Sequence, residues 1–366
     1  LTILQLVQKP QLRGAEMFAS QLSTHINKKG HRAIIVFVFP GSAALPFSGE
    51  TRHLNGSPKK RMWDVKAWRQ LAQIIKEEKP DIVQANAGDT LKYAVFSKLL
   101  FRWKQPIVFR NASTISLYIK TTPAKLLNGF FFKYASKIVS VSRTSATDFA
   151  KLFPQFKTRV TTVPIGIEEE GLKSGNESPL KNTSKPALVH VGGFTYEKNH
   201  ARLIGIFEGI LKKQPGASLH FVGSGPLQQQ IEELVKQKGL EQQVHFYGFR
   251  NDAMQFMKHA DVLLLPSIIE GLPGVILEAF YCKTPVVAYD VGGIGEVVIN
   301  NRTGYLVPKG NEEAFINKVL AALERTSDNE QMIQNAWQLV TNEYLNASIA
   351  GKFLDVYRNV SSPLNN

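Results

Sequence analysis

The chain predicts an α/β protein built from two doubly wound, parallel-sheet domains. Three observations carry this. Short apolar runs suited to buried parallel strands alternate with helical segments along nearly the whole length. The alternation lapses once, from Glu168 to Lys185, where Glu, Lys, Gly, Ser, Asn and Pro replace any apolar periodicity and a linker is expected. A length of 366 residues exceeds one ordinary core and suits two.

In the first half, strands are predicted at Thr2–Val7, Ala33–Val38, Asp81–Gln84, Pro106–Arg110, Lys137–Val141 and Val160–Val163. Helices are predicted at Ala15–Lys28 (ended by Gly30), Asp64–Glu78 (with Pro80 beyond it), Thr90–Phe101 and Pro123–Ala135. A strand that is followed by a helix returns parallel to its predecessor, so the βαβα order makes the sheet parallel. The second half restarts the pattern, with strands at Ala187–Val191, Ser218–Val222, Val244–Phe246, Asp261–Leu265 and Pro285–Ala288. Helices lie between them and continue at Glu312–Glu324 and Asn329–Tyr344.

Composition narrows the class. Hydrophobic residues make up 43% and charged residues 20%, which supports buried sheets and excludes a disordered chain. Cys282 is the one cysteine, so neither an internal disulfide nor a multi-cysteine zinc site is available, and a packing role in the apolar helix after Glu278 is expected. No apolar run reaches the ~18 residues of a membrane span, and no secretory signal is legible. Net charge is +14. Residues 1–170 hold 26 Lys/Arg against 11 Asp/Glu, so the excess lies wholly in the first half and implies an anionic partner there.

The most informative stretch runs from Pro266 to Ala279. Glu270 and Glu278 bracket a Gly/Pro turn, Gly271-Leu272-Pro273-Gly274-Val275, that opens an apolar helix after the strand ending at Leu265. Pro273 suits the first helical turn, where its missing N–H costs nothing. The free N–H groups that follow, with the helix dipole, form a phosphate site. Glu270 can accept hydrogen bonds from hydroxyls on one side of that phosphate, and Glu278 on the other. A sugar, a phosphate and a ribose in a row satisfy this layout, as in a nucleotide-sugar. Two similar strand–turn–helix segments accompany it: Gly192-Gly193 with Lys198 at the head of a helix, and the Gly292-Gly293 turn followed by Glu296.

With these segments the chain resembles glycosyltransferase family 4, retaining enzymes of the GT-B fold. The residues that carry the resemblance are the E-x7-E pair Glu270 and Glu278 and the segment Pro285-Val286-Val287-Ala288 through Asp290, Gly292-Gly293 and Glu296. It covers nearly the whole chain, from Gly14-Ala15-Glu16 to the C-terminal helix. The resemblance implies two Rossmann-like domains facing a central cleft: residues 1–167 with about 347–366 for the acceptor, a linker at 168–185, and 186–346 for the nucleotide-sugar. The last helix, about Ala347–Val360, would cross back to the first domain.

The resemblance implies Lys198 as the cation on the leaving diphosphate. Gly14 and the Gly223-Ser224-Gly225 turn would approach the donor, with Gly248, Phe249 and Arg250 lining base and ribose. Gly193 stands where the family usually carries Arg, with Arg13 or Arg250 as candidate replacements. On the acceptor side, Asn86 and Asn111 stand where relatives often have His; asparagine binds hydroxyls but is no general base. Arg110, Asp89 and Lys92 are further acceptor-side candidates, and His31 is read as structural. A front-face mechanism, in which the departing phosphate oxygen takes the acceptor proton, fits this set. No metal and no cofactor are expected, since no clustered metal ligands are legible.

The expected function is therefore retaining transfer of a sugar, from a UDP-sugar rather than a GDP-sugar, to a saccharide or lipid-linked acceptor in surface polysaccharide or glycolipid assembly. The expected location is cytoplasmic, peripheral on the inner face of the cytoplasmic membrane. Segments mixing aromatics with Lys and Arg, at 59–68, Leu99–Lys104 and Leu126–Tyr134, are candidates for contact with an anionic bilayer. Three alternatives stand beside this: a GT-B sugar-nucleotide epimerase, a catalytically inactive sugar-binding homologue, and a nucleic-acid-binding protein. No nucleic-acid motif is present, so no such partner is expected.

Overall fold

The computed structural model describes residues 1–60, 62–169, 178–181, 183–324 and 326–361. Arg61, the linker positions 170–177 and 182, Arg325 and the C-terminal residues 362–366 lie outside the described residues. The chain divides into two compact units: Leu1–Gly166 with the stretch from Asn346 on, and Ile167–Leu345.

The first unit runs β1 (Thr2–Val7), α1 (Gly14–Lys28), β2 (Arg32–Phe37), β3 (Glu50–His53), α2 (Val65–Glu78), β4 (Ile82–Ala85), α3 (Gly88–Phe101), β5 (Ile107–Asn111), α4 (Thr122–Phe132), β6 (Ala135–Ser140), α5 (Arg143–Leu152) and β7 (Val160–Thr162). All pairings are parallel, in the order β3-β2-β1-β4-β5-β6-β7. Helices cover both faces. Trp68, Tyr93, Phe131, Phe132 and Phe149 pack one side, while Phe18, Leu22 and Phe353 pack the other.

The second unit runs β8 (Ala187–Val191), α6 (His200–Leu211), β9 (Ser218–Val222), α7 (Gln228–Gln237), β10 (Val244–Phe246), α8 (Ala253–His259), β11 (Val262–Leu265), α9 (Gly274–Tyr281), β12 (Val286–Tyr289), β13 (Tyr305–Val307), α10 (Glu312–Leu323) and α11 (Ser327–Glu343). Its order, β10-β9-β8-β11-β12-β13, repeats the first unit's logic. Strand order reverses beside the first strand in each sheet, at β1/β4 and at β8/β11, and such reversals leave a crevice at the strands' carboxyl ends. The two-domain Rossmann-like α/β class is the observed one.

Three elements escaped the periodicity reading. β3 is an exposed edge strand with no buried residue, β13 is three residues long, and α5 has only Ser145 and Phe149 buried. The helix predicted at Pro123–Ala135 ends at Phe132, and Ala135 opens β6 instead. Pro273 is the residue preceding α9 rather than part of its first turn, and Cys282 is its C-cap rather than an interior residue.

α12 (Asn346–Ser361) belongs to the first unit, where it packs on α1 with Phe353 and Phe18 ring centroids 5.9 Å apart. Its Tyr357 hydroxyl reaches the sheet. It donates to Gln84 Oε1 at 2.6 Å and accepts from Gln5 Nε2 at 3.3 Å. Gln84 and Asn86 both donate to Gln5 Oε1, at 3.0 and 2.9 Å, and Gln84 also donates to Asn86. A closed polar network of this kind stabilises only when every member is paired. Replacing Tyr357 by Phe should therefore cost about 1–3 kcal/mol, by leaving buried amide groups unpaired. Urea denaturation compared with wild type measures this.

Candidate functional site

In the second unit, the loops leaving β8, β9, β11 and β12 meet at the β8/β11 reversal. Backbone packing there demands glycine. Gly223, with φ +147°, has no room for a side chain because a Cβ would overlap the Gly192 carbonyl. Gly192 N donates to Val222 O at 3.0 Å and Phe194 N to Ser224 O at 3.2 Å, so the two loops are stitched edge to edge. Gly292, with φ +58°, lies against the Glu270 carbonyl in the same way, and Gly293 N donates to Gly271 O at 2.6 Å. Gly193, by contrast, has room for a side chain, its nearest neighbour being Ser224 O at 3.4 Å from a built Cβ.

These loops bring together two residues 72 positions apart. Lys198, in the short 3₁₀ turn before α6, places Nζ 2.6 Å from Glu270 Oε1, and the side chains are 20% and 10% exposed. Two ties hold the loops in register: Ile268 N donates to Glu197 O at 2.8 Å, and Asn199 Nδ2 donates to Pro266 O at 3.1 Å. A cation and a carboxylate are thus fixed beside the N-terminus of α9, where Pro273 offers no side-chain cap.

Glu278 lies one turn into α9, half-buried; its main-chain carbonyl accepts from Cys282 N, while among the described residues its carboxylate makes no hydrogen bond or ion pair. Burial pushes its carboxyl up to about 7. Leu272 and Pro273 are buried between the two glutamates, while Gly271, Gly274 and Val275 are half-buried. Phe249 is exposed at the rim. Arg250 beside it is engaged by Asp252 through two 2.8 Å hydrogen bonds, which raise its pKa.

Two histidines that sequence reasoning passed over lie behind the Gly192 turn. His190 is fully buried, and its Nδ1 meets Leu264 O at 2.8 Å. A carbonyl accepts only, so that nitrogen carries the proton; burial holds the ring near a pKa of about 4 and hence neutral. Nε2 is left as an unpartnered acceptor. His200 stacks on Phe194 at 4.2 Å, and burial depresses its pKa too. Ser267 Oγ is likewise buried without a partner. The legible signal for His190 was a polar residue within an apolar strand; His200, at the start of α6, and Ser267, beyond the end of β11, carried none.

The remaining predicted residues lie in the first unit. Gly14 is the first residue of α1, with open space where a Cβ would sit. Asn86 is committed to the Gln5–Gln84–Tyr357 network. Asn111 Nδ2 donates to Ser140 Oγ at 3.2 Å and Ser145 O at 3.4 Å, anchoring the start of α5. Asp89 accepts from Gln8 Nε2 at 3.2 Å and pairs with Lys92 at 3.1 Å. Arg110 is 3% exposed, its guanidinium 4.4 Å over the Phe18 ring, and Nε and Nη1 lack partners. Burial lowers its pKa to about 10, and burial also raises the Glu16 carboxyl nearby. Among the described residues no three His, Cys, Asp or Glu side chains gather as a metal site.

Comparison with known proteins agrees across the chain. A model described as Glycosyltransferase Family 4 matches residues 12–170, and one described as Glycosyl transferases group 1 matches residues 175–338. An uncharacterized glycosyltransferase of Methanocaldococcus jannaschii is 28% identical over 303 residues, covering 78% of this chain and 77% of that protein. The N-acetyl-alpha-D-glucosaminyl L-malate synthase of Bacillus anthracis is 28% identical over 177 residues, covering 48% of this chain and 46% of its own. For most curated relatives the match spans about half of their length, between 46% and 58%. Among solved structures, Anabaena HepE in complex with UDP-glucose superposes with a TM-score of 0.82 at 20% identity, over 98% of this chain and 99% of that one. Sucrose-phosphate synthase from Thermosynechococcus elongatus gives 0.82 at 18% identity, over 98% of each chain. These likenesses establish the fold.

The Glu278 carboxyl sets a stability prediction. Its folded pKa lies above the unfolded value, so the group imposes no penalty below about pH 4, and the penalty grows as pH rises through the unfolded pKa towards about 7. Glu278→Gln should therefore be more stable than wild type at pH 8, by about 1–3 kcal/mol, and level with it at pH 4. Urea midpoints at the two pH values test this. Gly292→Ala should have the opposite sense at every pH, because a Cβ there strikes the Glu270 carbonyl.

Proposed function

The chain belongs to the family 4 type of glycosyltransferases, and from that premise we propose that it moves a sugar from a UDP-sugar to a saccharide or lipid-linked acceptor with retention of configuration. The observation that carries the reading is the Lys198–Glu270 pair, held beside the N-terminus of α9 with Glu278 one turn further on. A diphosphate offers Lys198 and the first N–H groups of α9 the negative charge they favour. Glu270 then accepts from hydroxyls of the transferred sugar, and Glu278 from the ribose. Solved structures of the same fold carrying UDP or UDP-glucose support a uridine donor.

In the proposed step the acceptor hydroxyl attacks the anomeric carbon on the face that the diphosphate is leaving. The C–O bond to phosphate breaks, the new C–O bond forms, and the departing phosphate oxygen takes the acceptor proton. Lys198 stabilises the charge that grows on that oxygen. No metal or cofactor is assigned to the step. The acceptor falls to the basic first unit, in which Arg110 is a predicted residue with two guanidinium nitrogens, Nε and Nη1, buried without partners. We place the activity in surface polysaccharide or glycolipid assembly, at the inner face of the cytoplasmic membrane.

Calorimetry and turnover with a panel of UDP- and GDP-sugars test the reading. One donor should bind and be consumed, and Glu270→Gln should lower kcat/KM for it by about 10²–10³. Absence of binding by folded protein for every donor sinks the proposal. The anomeric configuration of the product, read by NMR, tests retention.

Glu278 adds a pH signature. Ribose hydroxyls donate to its ionised form, so UDP-sugar affinity should fall as pH drops below about 7, roughly tenfold by pH 6. In Glu278→Gln the affinity should be lower throughout and flat across this range.

A further inference from the structure

Residues 90–147 contain no Asp or Glu and ten Lys and Arg. The run extends from the first turn of α3 into α5, wholly in the first unit. Within it, two adjoining helices leave a large apolar surface uncovered. α4 buries only Phe131 and Phe132, whereas Leu126, Leu127 and Phe130 are 71%, 45% and 42% exposed. α3 ends in Leu99 and Leu100, both exposed.

These five side chains form one patch. Phe96 of α3 meets Phe131 of α4 edge-on at 5.2 Å. Leu99 and Leu100 follow Phe96 by three and four residues and so share its side of α3. Leu127 precedes Phe131 by four and shares its side of α4, with Leu126 and Phe130 on the adjacent outward stripe. Arg102, Lys104, Lys125 and Lys133 are exposed on the same two helices and the turns that leave them. Of the other aromatics in the basic segments, Trp68, Phe131 and Phe132 are interior and take no part, whereas Trp63 is exposed.

We propose that this α3–α4 face docks on an anionic bilayer surface. Leu126, Leu127 and Phe130 enter the boundary between headgroups and acyl chains, and the surrounding Lys and Arg side chains face lipid phosphates. α4, at 11 residues, is far too short to span and lies in the interface. A second copy of the chain is a poor occupant, because it would set the same acid-free basic surface against itself. The proposal deepens the membrane-side setting given above and rests on that reading for its purpose, although the surface itself is argued from charge and exposure alone.

Sedimentation of the full chain with vesicles tests it. Binding is expected to phosphatidylcholine–phosphatidylglycerol vesicles, with little to phosphatidylcholine alone and release by salt. The double variant Leu126→Gln/Phe130→Gln should lower partitioning at least about tenfold. Lys125→Glu/Lys133→Glu should lower it by at least roughly fivefold per reversed charge. All four positions are exposed, so folding should persist, and circular dichroism checks it. Ile299→Gln, an exposed apolar site in the second unit, should bind vesicles as wild type does.

Equal vesicle binding by wild type and the apolar double variant overturns the proposal, as does a wild-type dimer that this variant disperses without any vesicle binding. UDP affinity read on the same samples separates the two claims. Variants that keep it while losing vesicles support docking. Loss of UDP binding in every form, wild type included, would sink the transferase reading and leave the vesicle result standing.

Discussion

An all-parallel sheet cannot be closed by hairpins. Each strand must be reached by a crossover, and the crossovers must bury both faces. In this chain that constraint operates twice, and in each unit the strand order runs outward from the first strand in both directions. Where the direction changes, successive loops diverge and leave room at the carboxyl ends of the strands. The candidate site of the second unit follows from that geometry. Lys198 arrives on the loop after β8 and Glu270 on the loop after β11, and these two strands are hydrogen-bonded neighbours despite their separation along the chain.

The loops then need an additional device to hold a charged pair at 2.6 Å without collapsing onto it. Glycine supplies it. At Gly223 and Gly292 the backbone of one loop lies directly on a carbonyl of another, closer than any side chain permits. The contact is between main chains, so it is stiff. The side chains of Lys198, Glu270 and Glu278 are thereby left partly exposed rather than packed between the loops. The raised Glu278 carboxyl is the cost of this arrangement, since a polar group is kept in a partly dry place with no partner of its own.

The first unit distributes its polar residues differently. Gln5, Gln84, Asn86 and Tyr357 satisfy one another and bind the C-terminal helix to the sheet. Asn86 and Asn111, read from the sequence as acceptor-side groups, therefore have their amide hydrogen bonds committed inside the unit. Arg110 does not: it is buried, stacked on Phe18 and short of hydrogen bonds. The positive charge of this half separates likewise. Arg32 and Arg52 are neutralised by Glu50 and Glu78 at the β3 edge, whereas the stretch from 90 to 147 has no acid to meet its cations.

The sequence by itself determined the α/β class, the strand–helix alternation and the positions of the charged residues around the Gly turns. Apolar period, Gly and Pro are local properties that a single chain displays. It also displayed Glu270 and Glu278, because both flank one turn. It missed β3, β13 and α5, whose few buried residues leave little periodic signal. Only the tertiary structure decided that Lys198 meets Glu270, that His190 stands neutral behind them, that Asn86 bonds Gln5 and Gln84, and which aromatics of the basic segments are interior. Those outcomes depend on which strands become neighbours and which helix face is covered, and both are settled by long-range packing that no local pattern records.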